Sequence, residues 1–152
     1  MPMPGTYSQI LLHVVFATRG RRPLITPDLS GRLYAYIGGI IRAERGVLLA
    51  IGGVEDHVHL YLRWRPDGSI SDLMRVVKSR SSRWVHETFA HRGDFAWQEG
   101  YAVFTVSKSQ EAAVRRYIEE QEAHHKSGGF TDELLALLSA HGVEFVERHV
   151  VS

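Results

Sequence analysis

Apolar positions along this chain recur with two periods, and the switches between them outline the elements. Gln9–Thr18 (QILLHVVFAT) is a dense apolar, β-branched run, and it predicts a strand. A basic turn, Arg19–Pro23, follows. Thr26-Pro27-Asp28 places a capping residue, a first-turn proline and an acid at a helix start, and that helix should run to about Arg45 and stop at Gly46. Val47–Val54 and His57–Trp64 predict two strands joined by the acidic turn Glu55-Asp56. After Pro66-Asp67-Gly68, Ser69 or Ser71 caps a helix reaching about His91. Tyr101–Val106 is a short β run, Gln110–Lys126 a helix closed by Ser127-Gly128-Gly129, and Thr131-Asp132-Glu133 the cap of a last helix ending near Gly142. Residues 143–152 form a C-terminal tail with some β character.

The predicted order is β-α-β-β-α-β followed by two helices. This is an α+β chain whose first six elements match the ferredoxin-like βαββαβ arrangement, an antiparallel four-stranded sheet with two helices on one face. The helix at 110–126 must then pack elsewhere, with the free sheet face as its natural place. A chain of 152 residues is enough for one domain, so residues 1–152 are read as a single unit.

Composition narrows the chemistry. There is no cysteine, so disulfides and thiolate metal sites are excluded, and any metal must use His, Asp, Glu, Asn or Gln. No apolar run is long enough to span a bilayer and Met1–Gly5 does not look like a secretory signal, so no membrane partner and a cytoplasmic location are expected. The net charge of +1 is unremarkable, but its distribution is not: residues 1–83 carry 12 basic and 6 acidic groups, and residues 84–152 carry 6 basic and 11 acidic. Fifteen of the 18 cations are arginine, whose planar fork suits phosphate, although a GC-rich genome also favours arginine. Two basic clusters are candidates for DNA binding: Arg19, Arg21 and Arg22 in the first turn, and Lys78, Arg80 and Arg83 on the second helix with Ser79, Ser81, Ser82 and Trp84. Each can equally be a solvated surface, and Trp84 a core residue.

Strand alternation at 57–64 sets Val58, Leu60, Leu62 and Trp64 on one face and His57, His59, Tyr61 and Arg63 on the other. The first face belongs to a core. The second presents two imidazoles one pleat repeat apart, spaced to bind one metal or simply to pack. On the helix at 110–126, Tyr117 and Gln121 lie four apart and share a face. Gln121 offers a carbonyl oxygen to a hard cation, and Tyr117 a phenol to whatever that cation polarises. Such an N/O set with open positions suits Mg²⁺ or Mn²⁺. On the residues alone, Tyr117 can also be an ordinary core aromatic.

Four stretches carry a family resemblance. Gly53-Val54-Glu55-Asp56-His57-Val58-His59-Leu60 resembles the HUH motif of the single-tyrosine transposases of small insertion sequences, a superfamily that includes the REP-associated tyrosine transposases. Trp97-Gln98-Glu99-Gly100-Tyr101 with Phe104-Thr105-Val106-Ser107, and Tyr117 through His125, are similar to the same family, as is His13–Thr18 with Arg21-Arg22-Pro23. The resemblance runs from about residue 8 to the tail. It implies a ferredoxin-like core acting on single-stranded DNA with hairpin ends, as a homodimer in which the tyrosine helix of one subunit can complete the metal site of the other. It implies attack by one tyrosine on a phosphodiester, leaving a 5′-phosphotyrosine link and a free 3′-hydroxyl. By position, Tyr117 becomes the nucleophile, His57 and His59 metal ligands and Gln121 the third ligand; His124 or His125 are candidate bases or DNA contacts. The alternatives are a domesticated or non-catalytic hairpin-binding protein, and a metal phosphodiesterase using water with Tyr117 merely structural.

Overall fold

The computed structural model describes residues 5–124, 129–146 and 150; the His124 side chain, His125 and parts of the tail lie outside what is described. Four strands, β1 (Ile10–Ala17), β2 (Val47–Val54), β3 (His57–Trp64) and β4 (Ala102–Thr105), form one sheet in the order β2-β3-β1-β4. Every pairing is antiparallel. With α1 (Pro27–Ala43) and α2 (Ile70–Thr88) between the strands, this is the ferredoxin-like order that the sequence predicts.

One sheet face carries the main core. Leu12, Val14 and Phe16 of β1 and Val58, Leu60, Leu62 and Trp64 of β3 meet Leu29, Leu33, Ile37 and Ile41 of α1 and Leu73, Met74, Val77 and Val85 of α2. The β3 alternation is thus realised, and burying these side chains stabilises the sheet by about 1.5–3 kcal/mol each. The predicted helix starts hold: Pro27 opens α1, and the Ser69 hydroxyl accepts the Asp72 amide at 3.2 Å. Thr26 departs from expectation, because its hydroxyl bonds to side chains of Asp28 and Arg92 instead of capping the backbone.

The other face is covered by α3 (Glu111–Glu119), α4 (Gln121–His124) and α5 (Phe130–Ala140). Ile118 packs on Leu11, Ala50 and Tyr61, whose hydroxyl donates to Glu111 at 2.7 Å. Phe130 and Leu138 of α5 pack on Val15, Ala17 and Phe104. The approach of α3 to β2 is so close that a side chain on Gly52 would run into the Ile118 carbonyl. Two helix boundaries differ from the expectation. The single helix expected over 110–126 is broken at Glu120, which leaves helical geometry (φ −103°, ψ 27°), so Tyr117 lies in the last turn of one segment and Gln121 begins the next. The start of α5 also moves: Gly129 precedes it, and Thr131, Asp132 and Glu133 fall inside its first turn.

Candidate metal and nucleophile site

Strand β3 brings His57 and His59 to the face covered by α3–α5. Both imidazoles are fully buried. They neighbour β1 through the pairs Val15–His59 and Ala17–His57. His57 stacks on Phe130 with ring centroids 4.3 Å apart, so α5 forms one wall of the site.

The four residues singled out in the sequence converge within one chain. The Gln121 side-chain oxygen lies 3.2 Å from His57 Nε2, and its amide nitrogen donates back to the Tyr117 carbonyl at 3.2 Å. That local bond keeps Tyr117 and Gln121 together across the helix break. The Tyr117 ring meets the His59 ring edge-on at 5.6 Å between centroids.

A fifth group, missed in the sequence, stands at the centre. Glu133 Oε1 is 3.1 Å from His57 Nε2 and 3.0 Å from His59 Nε2, while Oε2 accepts the Tyr117 hydroxyl. Among the described residues, His57, His59 and Glu133 form a group whose ligand atoms all lie within 4.8 Å of one another. Two imidazole nitrogens and a carboxylate oxygen, with the Gln121 oxygen alongside, fit a divalent cation. No sequence pattern ties Glu133 to the histidines: in the first turn of its helix it has the look of an acid complementing the helix dipole.

The outer nitrogens are also occupied. His57 Nδ1 donates to Asp56 Oδ1 at 2.8 Å, and His59 Nδ1 is joined to His13 Nε2 of β1 at 2.8 Å. Burial opposes a charge on His57, but the hydrogen bonds to Asp56 and Glu133 and the charges of both carboxylates outweigh it and raise its pKa to about 9. Burial likewise works against the Glu133 carboxylate, yet the bonds from His57 and His59, the charge of His59 and the Tyr117 hydroxyl hold its pKa well below the ordinary value. Tyr117 is pushed upward by burial and by its bond to Glu133, so in this arrangement it is a neutral phenol. His13 is lowered to about 3, first by burial and then by neighbouring His59, and is a neutral imidazole.

The basic residues divide. Arg80 and Arg83 are exposed on α2. Lys78 is half-buried; its ammonium donates to the carbonyls of Gln98 (2.8 Å) and Gly100, and so clamps the loop before β4. Arg21, in the left-handed region at φ 55°, lays its guanidinium over Phe130 at 4.9 Å and bonds Thr131. Exposed Arg22 pairs with Asp94 at 3.3 Å. Trp84 stacks on Tyr36, 4.7 Å between centroids, and packs against the main core.

The model of the family "Transposase IS200 like" matches residues 6–121. The chain belongs to this family. IS200-like transposases among its relatives include the ISDra2 transposase TnpA of Deinococcus radiodurans, 24% identical over 77% of this chain and 87% of that protein. The transposase for insertion sequence element IS200 of Salmonella typhimurium is 30% identical, over 76% of this chain and 79% of the relative. In structure the chain is similar to a Deinococcus radiodurans protein ascribed to the transposases, with a TM-score of 0.64 and 27% identity over 80% of this chain and 97% of the other. The REP-associated tyrosine transposase bound to a REP hairpin shares the fold at a TM-score of 0.56, with 16% identity over 78% of this chain and 70% of the other. The IS200-like match ends at Gln121, so α5 and Glu133 lie beyond it. Among the described residues no helix is long and apolar enough to cross a membrane.

Proposed function

We propose that this IS200-like transposase cuts and rejoins single-stranded DNA through Tyr117, beside a divalent metal held by His57, His59 and Glu133 with Gln121 at its edge. The observation that carries this reading is the meeting of Tyr117, Gln121, His57 and His59 in one cluster of side chains of one chain. The resemblance supports Mg²⁺ or Mn²⁺ as the ion. When bound, such an ion supplies a Lewis acid that draws charge from a phosphate oxygen and from the departing 3′-oxygen.

The residues of the chain do the rest. The Tyr117 oxygen forms a bond to phosphorus while the bond from phosphorus to the 3′-oxygen breaks, leaving a 5′-phosphotyrosine and a 3′-hydroxyl. The reverse attack by a 3′-hydroxyl restores the phosphodiester and frees the phenol, so the bond energy is kept and no nucleotide cofactor is needed. Glu133, as acceptor of the Tyr117 O–H, fixes the direction of the phenol before attack. Gln121 orients the tyrosine segment through the Tyr117 carbonyl. His57 and His59 are buried, with buried His13 and partly exposed Asp56 behind their outer nitrogens, which holds the rings in place.

The DNA partner is read as single-stranded DNA with hairpin ends, a reading supported by the fold relative that is bound to a REP hairpin. Arg80 and Arg83 offer exposed cations for its phosphates, with Arg21, Arg22 and Lys78 as further candidates nearer the loops. A homodimer acting on DNA in the cytoplasm completes the reading. The Tyr117 ring lies against the His59 ring of its own chain, which favours a tyrosine acting on the histidines of its own subunit.

The deciding experiment incubates the protein with labelled single-stranded DNA carrying the palindromes that flank its gene, with Mn²⁺, and runs a denaturing gel. A covalent protein–DNA adduct that Tyr117→Phe abolishes is expected. Cleavage that survives Tyr117→Phe, with no adduct, would replace this reading by a water-using phosphodiesterase. Tight hairpin binding with neither cleavage nor adduct would leave a non-catalytic binding protein.

A further inference from the structure

The two imidazoles of the site differ in what stands behind them. A carboxylate, which only accepts, backs His57 Nδ1. Behind His59 Nδ1 is another imidazole, His13, 2.8 Å away and only 4% exposed. Their rings stack at 5.1 Å between centroids, 28° from parallel. One proton can lie between the two nitrogens, so the tautomers of the rings are locked to each other.

We propose that His13 is a positioning residue that sets the tautomer of His59, accepting its Nδ1–H when His59 Nε2 is needed as a metal ligand. This inference rests on the metal reading above. In the structure His59 Nε2 faces the Glu133 carboxylate at 3.0 Å and is the donor there. A metal at Nε2 takes the place of that proton, and the proton left to His59 then sits on Nδ1, where His13 Nε2 accepts it.

His13 supplies that acceptor from inside the protein, with its Nε2 2.8 Å from His59 Nδ1 and both rings buried. An apolar side chain at position 13 would remove this acceptor from the buried His59 Nδ1. The position of His13 follows from register: it lies opposite Tyr61, one pleat repeat along β1 from Val15, the partner of His59, and so shares the His59 face.

The test compares Mn²⁺ binding by calorimetry to the wild-type, His13→Leu and His13→Gln proteins, with thermal unfolding as the folding control. Outer partners of metal-bound histidines carry about 10–100-fold in affinity, so His13→Leu should lose that much and His13→Gln, whose amide oxygen can accept, should recover most of it. Long-range proton–nitrogen NMR of the Mg²⁺-loaded wild-type protein should find the His59 proton on Nδ1. That measurement stands if the leucine variant fails to fold. Mn²⁺ affinity unchanged in folded His13→Leu, or an Nε2 proton on His59 in the loaded protein, would overturn the inference and leave the metal reading intact. A wild-type protein that binds no Mn²⁺, or binds it equally well as His57→Ala, would overturn the metal reading and the inference with it.

Discussion

Glu133 on α5 and His59 on β3 meet at 3.0 Å, although 74 residues separate them. The same carboxylate reaches His57 and the Tyr117 hydroxyl, so one side chain joins the strand imidazoles to the tyrosine segment. Removing its charge should therefore disturb the metal site and the phenol together.

Glu133→Gln keeps the shape of the side chain but removes that charge. Loss of a ligand should matter at least as much as loss of an outer partner, so Mn²⁺ affinity should fall by about tenfold or more. The Tyr117 pKa, pushed up partly by Glu133, should fall back towards the ordinary phenol value. Calorimetry measures the first effect. Ultraviolet difference titration against Tyr117→Phe measures the second. Unchanged Mn²⁺ affinity would remove Glu133 from the ligand set.

The proton on His57 gives the metal-free protein a defined pH dependence. Its folded pKa of about 9 lies above the ordinary 6.5, with Asp56 and Glu133 as the carboxylates facing it and His59 as its neighbour. A raised pKa contributes stability that is complete below the unfolded value and is lost as pH rises through the folded one. Thermal unfolding of the metal-free protein should therefore weaken from about pH 6.5 to about 9 relative to His57→Gln. A metal needs the same nitrogen without its proton, so Mn²⁺ affinity should rise across that interval, with proton release visible in the buffer dependence of the binding heat. Flat affinity over the interval would contradict this.

Gly52→Ala places a β-carbon against the Ile118 carbonyl, which cannot yield without moving α3. The substitution should destabilise the protein by about 1–3 kcal/mol. Since Tyr117 adjoins Ile118, adduct formation should fall more than hairpin binding does. Equal loss of both, measured on the folded variant, would show that the close approach serves stability alone.

Arg80 and Arg83 protrude from α2. If they neutralise phosphates, Arg80→Ala with Arg83→Ala should flatten the logarithmic salt dependence of DNA binding by roughly 0.7–0.9 for each phosphate no longer neutralised. Thermal stability should be unchanged, because both side chains are exposed. An unaltered slope would assign DNA binding to the loops around Arg21 and Arg22.

The sequence by itself determined the sheet and its two-faced third strand. Period-two alternation at 57–64 assigns Val58, Leu60, Leu62 and Trp64 to one core and His57 and His59 to the opposite side, because strand geometry leaves no third choice. It also placed Tyr117 and Gln121 within one turn, although it ran a single helix through the break at Glu120, where no proline or glycine marks an end. Only the tertiary structure decided what faces those histidines. Glu133 reads locally as a first-turn acid, and His13 as one polar position in an apolar strand. Their roles arise from the packing of α5 on Phe104 and Ala17 and from the β1–β3 register. Such pairings join residues 46 and 74 positions apart, and no local periodicity encodes them.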